Sequence, residues 1–403
     1  MLPGALTPSL QADLVRLGTW MPFGRVVGEL QHFRHTDVSK STVVRLSEAA
    51  GAAYVCVQNE EVMRIECELP TPPPGVTKQF LSVDGAMVPL VGGEWAEVRT
   101  LVIGDVLPPQ EVKGERVVHT THHSYFSRMT DATTFERLAL VETQRRGVET
   151  AQAVAAVTDG AEWIQKFINH HRHDAVRILD FPHAGEYLST IAQALWGENA
   201  AQKASWLHEQ LHQLKTQGAG AVLATLRTPI GQPAHPPEVT QALAYLEKRA
   251  AQMQYPTFEQ QGWPIGDGAV ESANKLVVEA RLKGSGMHWA RSHVDPMLAL
   301  RNIAYNDRWA EAWPQITATL RQQARQRTTQ RRHQRHLLVS ASTFPPAMAT
   351  EVGVDPLLAS PRLAPVPSSS PKPSLSKPSP PQPWLPPPDH PWRHMPIGRA
   401  RFQ

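Results

Sequence analysis

The sequence predicts an α/β protein. Apolar runs of strand length gather between residues 80 and 128, and shorter strand-like runs then alternate with amphipathic helical stretches. Of the 403 residues, 41% are hydrophobic and 19% charged, the balance of a globular chain with material for a buried core.

The elements follow in order. Phe80–Val91 (FLSVDGAMVPLV), a Gly-Gly turn and Val98–Leu107 form a hairpin, and His119–Arg128 supplies a third strand. Ala132–Arg146 is an amphipathic helix. Val154–Thr158 is a buried-type strand closing at Asp159-Gly160. Ala175–Leu179 ends at Asp180 and runs into a helix through Trp196. Residues 200–260 are helical and rich in Ala, Gln, Leu and Glu, and Ala269–Arg281 is a further helix. Three strands, then alternating helix and strand, is the order that an RNase H-like core requires, here with a helical insertion at about 197–262 before its last helix.

Ahead of this body, Pro22–Phe33 has apolar residues at helical spacing, HTDVS is a turn, and Ser39 can cap KSTVVRLSEAA, which is expected to stop at Gly51. Helix, short turn and helix is the pattern of a helix-turn-helix. Lys40, Ser41, Thr42 and Arg45 then sit where a recognition helix meets base edges and phosphates. A plain helical bundle is the alternative. The expected division is residues 1–51 as DNA-binding module, 52–76 as linker around TPPPG, 77–315 as α/β body, 316–340 as an Arg-rich helix and 341–403 as tail. Seventeen of the 36 prolines fall from Pro345 onward, so the tail is expected to be disordered.

Composition excludes several classes. No apolar run approaches the roughly 20 residues of a membrane span. The N-terminus has no secretory-signal pattern. Cys56 and Cys67 are too few for a disulfide scaffold or a four-thiolate zinc site. A cytoplasmic, reduced protein is expected. The net charge is +3, yet residues 321–336 hold six arginines and no acid, while 1–320 is acidic. Such an appended basic segment points to a polyanion held at one place, with Arg325, Arg331 and Arg332 among the phosphate contacts.

Three acids stand at informative positions: Asp84 within the first strand, Asp159 closing a buried strand, and Glu271 in the first turn of a helix. A carboxylate inside an apolar strand is costly to bury unless it is paired or holds a metal. Three converging at strand ends would bind two Mg²⁺ (or Mn²⁺) ions through oxygen, a device suited to attack on a phosphodiester. Each alone also has an ordinary reading, as a turn residue or a helix-dipole partner.

The blocks SVDGAMVPLVGGEWAEVRTLVIGDV, AVTDGAEWI, RILDFPHAGEYL and GDGAVESANKLVVEARLKGSGMHW resemble those of DDE transposases of bacterial insertion sequences. The resemblance is to the Mutator-like superfamily, nearest the Kra family, and spans roughly 77–305. It implies that Asp84, Asp159 and Glu271 are the catalytic, metal-holding triad. It also implies that Asp180 and His183 form an Asp-x-x-His motif that shapes the site or contacts DNA; a strand-end Asp capping the helix that follows is the alternative. The implied activity is cleavage and strand transfer at terminal inverted repeats, by a homo-oligomer assembled on paired ends in the nucleoid.

Beyond Glu271, Arg281 and Lys283 suit phosphate contacts and Trp289 suits base stacking; Trp289 packed on the insertion is the structural alternative. His170–Asp174 (HHRHD) reads as a solvated helix end. Two rival functions are a catalytically inactive, transposase-derived DNA-binding regulator and a hydrolase with paired carboxylates. The second leaves the helix-turn-helix and the arginines without a role.

Overall fold

The computed structural model describes residues 6–112, 115–197, 199–228 and 236–342. Residues 343–403, almost all of the tail expected to be disordered, lie outside the described residues.

Three helices come first: α1 (Pro8–Trp20), α2 (Phe23–Arg34) and α3 (Lys40–Glu68). Ser39 caps α3 as expected, its hydroxyl accepting from the Thr42 amide at 3.2 Å. Gly51, however, does not end α3, so residues 52–68 are helix and not linker. A Cβ at Gly51 would stand 2.1 Å from the Pro296 carbonyl oxygen. This glycine permits a close helix crossing where sequence suggested a stop. The helix ends instead at Leu69, which adopts φ 46° just before Pro70.

The chain then builds β1 (Lys78–Pro89), β2 (Trp95–Val106), the small hairpin β3 (Gln110–Val112) and β4 (Glu115–Val117), and β5 (Thr120–Arg128). Helices α4 (Ala132–Leu138) and α5 (Leu140–Arg145) divide at Ala139 what sequence reads as one helix. Next come β6 (Ala153–Thr158), α6 (Glu162–Arg172), β7 (Val176–Leu179) and α7 (Phe181–Trp196). The five-stranded mixed sheet has the order β5-β2-β1-β6-β7. β1, β2 and β5 pair antiparallel, while β1, β6 and β7 pair parallel.

The insertion is α8 (Ala200–Gln217), α9 (Ala219–Arg227), α10 (Pro237–Lys248), a 3₁₀ turn and α11 (Tyr255–Gln260). The helix expected at Ala269–Arg281 is α12 (Gly268–Ala273), a π-helical segment over Asn274–Glu279, and α13 (Ala280–Leu282). Two helices follow, α14 (Arg291–Tyr305) and α15 (Trp309–Ser342). The arginine stretch is thus the outer part of one helix that starts at Trp309, earlier than expected.

Alternation of side chains across the strands divides the core in two. Leu81, Val83, Leu101, Val154 and Ala156 pack with Phe135, Ile164 and Phe167 on one face. On the other, Ala155 and Val157 pack with α7 and the insertion, and Phe80 and Val102 with Val270 and Ala273 of α12. The N-terminal helices share a core with α14 and α15: Leu14, Val26 and Val43 cluster with Leu300, Ile303 and Ile316. Among the described residues no helix is long and apolar enough to cross a membrane.

Candidate functional site

Asp84 lies in mid-β1, on the face shared by Phe80 and Ser82. The parallel register sets Leu81 against Ala156. The Ser82 hydroxyl donates to the Val157 carbonyl at 2.6 Å. Three residues further along come Asp84, still within β1, and Asp159, just past the end of β6, and the two carboxylates feel each other's charge. Asp180 follows β7 directly, its amide bonded to the Thr158 carbonyl at 2.8 Å. Asp159 and Asp180 therefore stand at neighbouring strand ends, where α/β sheets commonly place ligands, with Asp84 on the adjoining β1.

The helix bearing Glu271 is laid over this face. Asn274, one turn beyond Glu271, donates Nδ2 to Asp84 Oδ2 at 2.8 Å. The π-helical geometry begins at Asn274. Such turns recur at functional sites because they re-aim side chains. The Asp84 carboxyl is pushed up, chiefly by burial and further by the charges of Asp159 and Glu271. Glu271 itself is half exposed and lies 3.6 Å from the Lys275 Nζ. Among the described residues, no group of three or more His, Cys, Asp or Glu side chains is drawn together closely enough to hold a metal ion. The triad expected from sequence is in electrostatic contact but not gathered into a closed cage.

Asp180 joins two segments. Its Oδ2 caps α7 by accepting from the His183 amide, and its Oδ1 accepts from the Asp267 amide, both at 2.8 Å. It thereby ties the end of β7 to the residues opening α12. The His183 ring rests against Tyr187 and Tyr245 and lies 3.3 Å from Glu186.

Sequence reading missed Asp267, Asn274, Tyr245 and Arg249. The Asp267 carboxyl is pushed up to about 8 by burial and by the charges of Asp180, Asp84 and Glu271. Tyr245 of α10 donates its hydroxyl to the Asp159 carbonyl. Arg249 donates Nε and Nη2 to the Gly160 carbonyl at 3.0 and 2.7 Å, with its guanidinium 3.6 Å above the Tyr245 ring. The only sequence signals were a D-G pair just ahead of the Glu271 helix, an Asn one turn after Glu271, and a Tyr and an Arg at i,i+4.

The expected DNA contacts divide. Lys40, Ser41 and Arg45 are exposed at the start of α3 and Thr42 is half-buried. Arg325, Arg331 and Arg332 are exposed on α15. Arg281 and Trp289 are corrections: they are 2% and 7% exposed. Arg281 donates Nε to the Gly18 carbonyl at 3.1 Å. Trp289 packs with Val88, Val98 and Leu298, not on the insertion. Sequence placed both as DNA contacts, but the loop folds back and Trp289 bonds to Pro89 and Val91. Lys283 is exposed and bonded to Glu279 at 2.6 Å. His171 departs from the solvated helix end: it is half-buried, 3.1 Å from Thr143 Oγ1, and desolvation pushes its imidazole down to about 3.

In comparison with known proteins, no family model matches this chain and no curated protein matches it.

Proposed function

We propose that this chain is a DDE transposase with an RNase H-like core, cutting DNA at insertion-sequence ends and joining it to a target. The observation that carries the reading is the meeting of Asp84 and Asp159 on adjacent parallel strands beneath the helix of Glu271. The five-stranded mixed sheet among helices adds support.

Asp84, Asp159 and Glu271 are the residues that would hold divalent ions, Mg²⁺ or Mn²⁺. The donor set is all oxygen, as those hard cations need. The accumulated negative charge that raises Asp84 also favours a cation there. Glu271 would exchange its contact with Lys275 for the site. When bound, two such ions supply activation of an attacking hydroxyl and stabilisation of a leaving 3′ oxygen.

The chain's own residues prepare this centre. Asn274 fixes the Asp84 carboxylate, Tyr245 and Arg249 hold the Asp159-Gly160 turn, and Asp180 anchors the approach to α12. The exposed arginines of α15 neutralise backbone phosphates, and the start of α3 faces the terminal repeat as the protein assembles on paired ends.

The test is the purified chain with Mg²⁺ or Mn²⁺ and duplexes carrying the repeats that flank its own gene. Strand cleavage and joining at the repeat ends are the expected result. Intact DNA under conditions where the repeats are bound would leave the inactive-regulator reading in its place.

A further inference from the structure

The starts of α2 and α3 and the loop 284–290 enclose a cavity of about 300 Å³. Lys40 and Arg281 bring two cationic side chains to its walls. Lys40 opens α3 and is exposed; no acidic side chain among the described residues pairs with it. Arg281 is held between two rings, its guanidinium carbon 4.6 Å from the Phe23 ring and 5.0 Å from that of Trp289. Its Nη2 is buried without a partner, and so is Trp289 Nε1. A buried donor is costly unless an acceptor reaches it.

The 12-residue α2 opens on the same cavity, and no side chain caps it. Its first amides lack partners within the helix, and its dipole favours an anion there. Gly24, in its first turn, has nothing within 4 Å of the place a Cβ would occupy. The one carboxylate in the lining, Glu48, is engaged by His293 Nδ1 at 2.9 Å.

We infer that this cavity holds a phosphate group and, resting on the transposase reading, that the phosphate belongs to the DNA backbone where the duplex meets α3. Lys40 supplies an exposed charge, Arg281 a fixed one, and the start of α2 supplies amides. Arg281 then acts from within the wall, not as an exposed contact.

The experiment uses the full chain with inorganic phosphate against chloride at equal ionic strength, followed by thermal unfolding. Lys40→Gln and Gly24→Glu are the variants. The second places an acid in the first turn of a helix, where the dipole favours it and the space is open, so folding is retained. The wild type should gain melting temperature with phosphate beyond chloride, and both variants should lose that gain. Their binding to a duplex should also lose about 0.9 from the slope of log K against log salt, the signature of one phosphate.

No phosphate-specific gain in the wild type, or a full gain in Gly24→Glu, overturns the site. A gain lost in the variants with an unchanged DNA slope overturns the DNA assignment and leaves free phosphate as the ligand. If the chain never cleaves its repeats while the slope still falls, the transposase reading fails and the phosphate site stands.

Discussion

The Tyr245 hydroxyl, carried on α10 of the insertion, donates to the carbonyl of Asp159 at the end of β6. Arg249, one turn further on, grips the next carbonyl, that of Gly160. Gly160 has φ +77°, and a Cβ there would lie 2.5 Å from the Arg249 Nε. The insertion thus braces the turn that presents the second aspartate, and that turn has room for no side chain.

Removing the brace should slow the reaction without loosening DNA. Tyr245→Phe keeps the ring on Tyr187, stacked at 3.8 Å, and deletes only the hydroxyl. It should cost about 1 kcal/mol of stability, a typical net hydrogen bond. A similar loss in the transition state is roughly a fivefold slower single-turnover cleavage. Denaturant unfolding, cleavage rate and duplex affinity should be measured together. A fall in affinity with an unchanged rate would assign Tyr245 to DNA contact instead of positioning.

Asp84→Asn and Glu271→Gln should abolish cleavage and joining while end binding persists. Each substitution keeps shape and removes the charge that attracts a divalent ion. Asp84→Asn also relieves repulsion from Asp159 and Glu271, which raise its carboxyl. Its folded state should therefore be no less stable than the wild type. Gel assays of cleavage beside binding on the same duplex test this, and strong residual cleavage would remove Asp84 from the centre.

Stability should fall as pH rises across a window set by Asp267. Its carboxyl stands at about 8 when folded, against 3.8 for an ordinary aspartate. Between those values the native chain holds a proton that the unfolded chain has released, so rising pH favours unfolding. Above about 8 both states are ionised and this contribution levels off. Asp267→Asn keeps the amide bonded to Asp180 and should flatten the decline. Urea unfolding at about pH 5, 7 and 9 measures it, and an equal pH dependence in the variant would count against the assignment.

Local pattern carried the strands, because alternation and Gly-Gly turns are written in adjacent residues. It also carried the order of Asp84, Asp159 and Glu271 along the chain. What it could not carry were partners distant in sequence. Gly51 looked like a stop, and only the Pro296 backbone across the crossing explains it. Nothing adjacent to Asp267 marks it, since its partner Asp180 is 87 residues away in the chain. Arg281 and Trp289 looked like DNA contacts until the loop closed on β1. Gly51→Ala should accordingly destabilise by about 1–3 kcal/mol, the usual range for overpacking. A mid-helix glycine with open space around it would gain from the same change, so a loss on unfolding reports the close crossing.

The last expectation concerns how DNA affinity is shared. Arg325, Arg331 and Arg332 are exposed on a helix without acidic neighbours in 321–336, so they meet phosphate in any sequence. Replacing all three with Ala should weaken every duplex alike and flatten the salt dependence by up to about 2.7, three phosphates' worth of released counterions. Arg45 stands instead near the start of α3, the end of a recognition helix that reaches base edges. Changing it should narrow the gap between terminal-repeat and random DNA. Salt titrations on both duplexes separate the roles, since a phosphate contact alters the slope and a base contact alters the ratio. If the arginine variant lost only its preference for the repeat, α15 would be the reader. The helices before the sheet would then serve as packing for α14, through the core they share at Leu300 and Ile303.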